Sequence, residues 1–190
     1  MGAAVTRRRP SSGEQGTTLI EVMIASALLV TLMAGLMAMA GIAISTTENQ
    51  GHLAARTTEY AQDKMEQLLA LQYSDGTSDT RVFPATNSGG TGLAVGGSSN
   101  VDSPTASYVD YLDVNGNLCG STGAGCVAPN GTTPPDGWYY ERVWKIADVS
   151  PAACTSSCLK QITVATATAR GFGGSTRATS YLTVLKSTPF

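Results

Sequence analysis

From Val22 to Thr47 the chain runs 26 residues without a charged side chain. At about 1.5 Å per residue that is roughly 39 Å of helix, longer than a bilayer core of about 30 Å. The pattern then changes without a proline. Between Thr46 and Tyr73, Leu53, Thr57, Ala61, Met65, Leu68, Leu69 and Gln72 recur near a 3.6-residue period. Glu48, Arg56, Glu59, Asp63, Lys64 and Glu66 fall mostly off that stripe. One helix of about 55 residues is predicted, apolar all round in its first half and amphipathic in its second. Residues 74–107 read as loop, and TNSGGTGLAVGGSSN (86–100) has the composition of a flexible connection. Alternation with β-branched and aromatic residues returns in residues 138–149, 159–170 and 177–187, with a hairpin-like turn over 171–176. A shorter strand is expected near Tyr108 to Val114, before an Asn115-Gly116 turn. The layout is α+β: one long N-terminal helix packed on a C-terminal antiparallel sheet. Tyr140, Trp144, Ile146, Ile162, Val164, Leu182 and Val184 are the residues expected to face the helix.

Charge changes the picture at the N-terminus. Arg7, Arg8 and Arg9 precede the apolar run and no basic cluster follows it closely. The positive-inside rule then puts the N-terminus in the cytoplasm and the rest outside. A secretory signal fits poorly, because its apolar region is about 7–15 residues long. A simple signal anchor explains the length and the arginines but not Glu21. A charge inside an apolar span costs roughly 2.5–3.5 kcal/mol at mid-bilayer, less near the end where Glu21 sits.

Over its whole length the chain is nearly neutral, at −2, with 14% charged residues. The cysteines Cys119, Cys126, Cys154 and Cys158 lie in polar, Gly- and Ser-rich surroundings. Four permit three pairings, and the short loops favour Cys119–Cys126 and Cys154–Cys158 in an oxidising compartment. A Cys₄ zinc site is the rival, disfavoured by wide and unequal spacings. The single histidine, His52, falls in the helix without carboxylates or cysteines at ligand spacing and reads as solvated. No Ser/His/Asp or Cys/His set supports catalysis. Asp110 and Asp113 are expected to be solvated charges of a polar loop-strand region. GxG-like spacings in 86–100 lack the strand before and the helix after that phosphate binding needs. No cofactor or metal is implied.

Gly16-Thr17-Thr18-Leu19-Ile20-Glu21-Val22 resembles the processing site of type IV prepilins and of type II secretion pseudopilins. The resemblance implies a leader of residues 1–16, cleavage between Gly16 and Thr17 by a prepilin peptidase, and N-methylation of Thr17. The family usually has Phe or another bulky apolar residue where Thr17 stands. The resemblance further implies a membrane and filament-core helix over 17–45, an amphipathic half over 46–73, and a head over 74–190 whose first part is a variable loop. The aromatic-rich strand, the ITV strand and the terminal YLTVL strand look like those of PilV-type minor pilins. Glu21 would neutralise the new α-amine of a neighbouring subunit and so fix the stagger between subunits.

The function expected is that of a minor subunit of a type IV pilus. It would be held in the bacterial inner membrane with its head in the periplasm, then assembled through its N-terminal helix. The partners implied are other pilin subunits, the prepilin peptidase and the assembly platform. A type II secretion pseudopilin is the alternative, and a membrane-anchored periplasmic binding domain a further one. Nucleic acid is disfavoured as a partner: loss of residues 1–16 would leave nine basic and thirteen acidic side chains.

Overall fold

The computed structural model describes residues 18–86, 88–149, 158–169 and 177–188. Among these residues there are one helix, α1 (Leu19–Ala70), and five strands, β1 (Gly96–Gly97), β2 (Val109–Leu112), β3 (Tyr140–Asp148), β4 (Leu159–Thr168) and β5 (Thr179–Ser187). The fold is α+β, with the strands in one antiparallel sheet of order β1-β3-β4-β5. β2 shares the edge of β3 with β1. The chain divides into two compact units, Met1–Ser45 and Thr46–Phe190.

In the second unit the helix buries Thr57, Tyr60, Ala61, Lys64, Met65 and Leu68. Their spacing of three and four residues makes one stripe. Register sets what the stripe meets. Trp144 pairs with Val164, which pairs with Leu182; Ile146 pairs with Ile162, which pairs with Val184. Alternation puts these two rows on one face, with Tyr140. They form a core with Ala61, Met65, Leu68, Leu93 and Tyr108, while Tyr140 packs with Tyr60 and Leu112. The expected helix-facing set is therefore the set observed. The opposite face is covered at one end: Val143, Ala165 and Ala167 pack against Val101, Val109, Tyr111 and the cystine Cys119–Cys126.

The helix ends at Ala70, three residues earlier than the pattern suggests. Its last turn carries no basic residue. Cations from the sheet stand in: Lys186 Nζ donates to Leu69 O at 2.5 Å, and Lys160 Nζ to Tyr73 O at 2.8 Å. They meet carbonyls that lack a helical partner, at the negative end of the helix dipole. Directly afterwards Asp75 Oδ1 accepts from the backbone N–H groups of Thr77 and Ser78 and turns the chain.

The Gly-rich segment 86–100 departs from the expectation of a flexible connection. Leu93 is fully buried, and Gly90 N, Gly92 N and Leu93 N donate to Thr77 O, Ser78 O and Asp75 O. Gly96 and Gly97 form β1 against Ile146 and Lys145. Gly97 has φ +82°, and a Cβ there would collide with Trp144 O and the Tyr108 ring. Glycine is present for close approach of two backbones, not for freedom of movement. The Asn115-Gly116 turn is present, closed by Asp113 N to Asn117 O at 2.9 Å. The expected 171–176 turn lies outside the described residues.

Candidate functional site

Every side chain from Thr18 to Ser45 is exposed. Fifteen of them, between Leu19 and Ile44, are large and apolar, from 55% exposed at Val22 and Met33 to 81% at Leu19. Transferring such a surface out of water is worth on the order of 20 kcal/mol. The best 18-residue window has a mean hydropathy of 2.3, enough by length and composition for the helix to cross a membrane. Three of its hydroxyls are met within the helix. Ser26, Thr31 and Ser45 donate to the carbonyls of Met23, Leu28 and Ile42 in their own helix.

Glu21 is the only charge between Thr18 and Thr47. It sits in the first helical turn, where the dipole favours a carboxylate, and its N–H bonds to Thr18 O at 3.0 Å. Beyond the local backbone of their own helix, Gly35 and Gly41 have nothing within 4 Å of where a Cβ would be. Each weakens a helix by about 1 kcal/mol relative to alanine, and nothing in the chain itself requires them. Gly41 belongs to a face made of Ala27, Thr31, Ala34, Ala38, Gly41 and Ser45, whose steps of four and three residues bring them into line. That face is readable in the sequence as a heptad of small residues, where periodicity of large ones is the usual search.

Of the other residues singled out by sequence, Gly16 and Thr17 lie outside the described residues. Cys119 and Cys126 are bonded, with Cα atoms 4.9 Å apart. Cys158 is also disulfide-bonded, and Cys154 lies outside the described residues. His52 is exposed, and among the described residues no group of three or more His, Cys, Asp or Glu could hold a metal.

The expectation for Asp110, Asp113 and Lys64 is overturned: all three are buried, at 1%, 1% and 0% exposure. Asp110 is on β2 opposite Arg142 of β3, on the face that meets the helix. Arg142 Nε and Nη2 fork onto its two oxygens at 2.7 and 2.9 Å, and Lys64 Nζ reaches Oδ2 at 2.7 Å. Lys64 also donates to Thr80 O and lies 4.1 Å from the centre of the Trp144 ring. Arg142 Nη1 continues to Asp63 Oδ2 at 2.9 Å, so two cations face two carboxylates. Burial lowers the Lys64 ammonium from 10.5 to about 8 in spite of Asp110. Burial alone would raise Asp110, but the charges of Arg142 and Lys64 outweigh it and hold the carboxylate below its ordinary range. Asp113 acts locally, accepting from the N–H groups of Asn115, Asn117 and Gly125.

Beside this cluster a cleft of about 300 Å³ is lined by Arg81, Phe83, Asp110, Leu118 and Ser121 among others. A second, of about 280 Å³, shares Phe83, Leu118 and Ser121. The cations at both are already engaged, Arg81 with Asp79 and Arg142 with Asp110 and Asp63. These contacts hold helix, sheet and loop in register. Comparison with family models, with curated proteins and with solved structures returns no match.

Proposed function

We propose that the chain is a minor subunit of a type IV pilus, held in the bacterial inner membrane before it enters the filament through α1. The carrying observation is the Thr18–Ser45 segment. It exposes apolar side chains all round, bonds the hydroxyls of Ser26, Thr31 and Ser45 to its own carbonyls, and carries one carboxylate in its first turn. A helix apolar on every side needs an apolar medium or a bundle. Gly35, Gly41 and the small-residue face would let neighbouring helices approach closely within such a bundle. The resemblance of residues 16–22 to the prepilin processing site supports the same reading. Cleavage after Gly16 would leave a cationic amine on Thr17, and Glu21 of one subunit would neutralise the amine of the next. The role is structural, without catalysis.

The experiment is Glu21→Ala in cells that make the filament and the peptidase. Mass spectrometry should find the mature chain starting at Thr17, and membrane insertion should be unchanged. The ratio of this subunit in sheared filaments to that in the membrane pool should fall, because an unpaired buried amine costs about 3–5 kcal/mol. Equal ratios for wild type and variant would remove Glu21 from assembly, and an intact leader would remove the prepilin reading itself.

A further inference from the structure

The chain has two Asn-Gly pairs, Asn115-Gly116 and Asn130-Gly131. In such a pair the glycine backbone nitrogen can attack the asparagine carboxamide, because no side chain crowds the approach. The attack needs an N–H without a hydrogen-bond partner and a backbone able to swing toward the side chain. The fold treats the two pairs differently.

Asn115-Gly116 is held. Gly116 N donates to Asp113 O at 3.1 Å, and Asp113 N to Asn117 O at 2.9 Å. Asp113 Oδ1 accepts from Asn115 N and from Asn117 N, both at 2.8 Å. Gly116 lies so close against Tyr60 that a Cβ there would run into its ring. Closing a ring at Asn115 means taking Gly116 N off Asp113 O and opening the turn around it.

Asn130-Gly131 sits in a turn between Cys126 and Trp138, where Thr133 N donates to Asn130 O at 3.1 Å. Both residues of the pair are exposed, and a Cβ at Gly131 would meet nothing within 4 Å. Among the described residues neither Gly131 N nor the Asn130 carboxamide makes a hydrogen bond.

The geometry points to Asn130 as a site of spontaneous modification, deamidation to aspartate and isoaspartate in the folded head. Gly131 N gives up its proton and bonds to Asn130 Cγ, and the carboxamide nitrogen leaves as ammonia. Water then opens the resulting succinimide at either carbonyl. Asparagine and water become a carboxylic acid and ammonia, and nothing is oxidised or reduced. Opening at Cγ gives aspartate. Opening at the main-chain carbonyl gives isoaspartate, whose main chain is longer by one methylene. Either product adds a negative charge next to Gly131 and Thr132, and Thr132 O accepts the Tyr111 hydroxyl at 2.7 Å. Isoaspartate would also shift the turn that presents this carbonyl. The site does not depend on the filament reading.

Ring closure at Asn130 disturbs the one backbone bond from Thr133, whereas at Asn115 it disturbs the bond from Gly116 and those onto Asp113 Oδ1. A hydrogen bond is worth a net factor of about five, so two more of them should make Asn130 at least about ten times faster.

The test is ageing of the full chain in mild detergent at mildly alkaline pH, beside a sample kept unfolded in urea. Samples taken over weeks are digested in acid, and peptides are fragmented by electron transfer to place each conversion and to tell isoaspartate from aspartate. In the folded chain Asn130 should convert at least about ten times faster than Asn115, with isoaspartate among its products. In urea the two rates should come together. Equal rates in the folded chain would overturn the proposal, as would a lead for Asn115 or an Asn130 that converts only in urea. The same lead in urea would assign the difference to sequence and not to the fold, and aspartate without isoaspartate would remove the attack by Gly131 N.

Discussion

Asp110→Asn preserves the size of the side chain and removes the buried carboxylate between Lys64 and Arg142. Arg142 loses a forked contact at 2.7 and 2.9 Å and keeps Asp63. Hydrogen bonds to charged groups contribute about 1.5–3 kcal/mol each, and the amide oxygen replaces part of one, so this share is about 3 kcal/mol. Lys64 limits its own share by shedding a proton. Burial holds its ammonium down to about 8 in the folded chain, not far above pH 7, so deprotonation caps the added penalty at about 1 kcal/mol. The expected loss at pH 7 is about 4 kcal/mol, within the range for one partner removed from a buried pair. The pH dependence has a definite sign. Lys64 binds its proton less tightly folded than unfolded, so wild-type stability rises with pH from about 8 toward 10.5. At pH 9 Lys64 is mostly neutral in both folded chains, and the loss should shrink to about 3 kcal/mol. Urea unfolding of the full chain in mild detergent, followed by the fluorescence of buried Trp144, measures both values. A loss under about 1 kcal/mol would refute the cluster as an energetic unit, and a larger loss at pH 9 than at pH 7 would refute the account of Lys64.

Leu93→Ala should destabilise the head by about 2–5 kcal/mol, as for any fully buried leucine, although Leu93 lies in a glycine-rich segment; a negligible change in the same assay would mean that the segment is not docked. Cys119→Ala with Cys126→Ala should cost about 2.5 kcal/mol, because the bond closes a loop with a sequence separation of 7. Membrane insertion should be unaffected, and a fractionation assay would show it.

Much of the fold was legible because two periods, 3.6 and 2, were clean. The stripe through Thr57, Ala61, Met65 and Leu68 and the alternation through Tyr140, Trp144, Ile146, Ile162 and Val164 each named the buried face. The charge cluster was missed because charge is read as a mark of solvent. Its phase said otherwise: Lys64 is in step with Ala61 and Leu68, Arg142 with Tyr140 and Trp144, and Asp110 with Leu112. Three charged residues on three buried faces, with signs that cancel in part, are themselves a signal. The docking of Leu93 had no such signal, since two glycines needed for close approach are spelled like a linker. In the candidate site, Glu21 and the apolar run were plain from composition. The free edge of β5 depends on strand order, which no single stretch of sequence encodes.

The close fit of Gly97 under Trp144 and Tyr108 bears on where the protein can be labelled. A stretch spelled TNSGGTGLAVGGSSN invites an epitope or dye insertion, yet any bulk between residues 90 and 97 would break hydrogen bonds to Thr77, Ser78 and Asp75 or wedge β1 off β3. The tip of the Cys119–Cys126 loop is the better place. Ser121, Thr122 and Gly123 are exposed, and a Cβ at Gly123 would meet nothing within 4 Å. The cystine below them anchors both ends of whatever is inserted there.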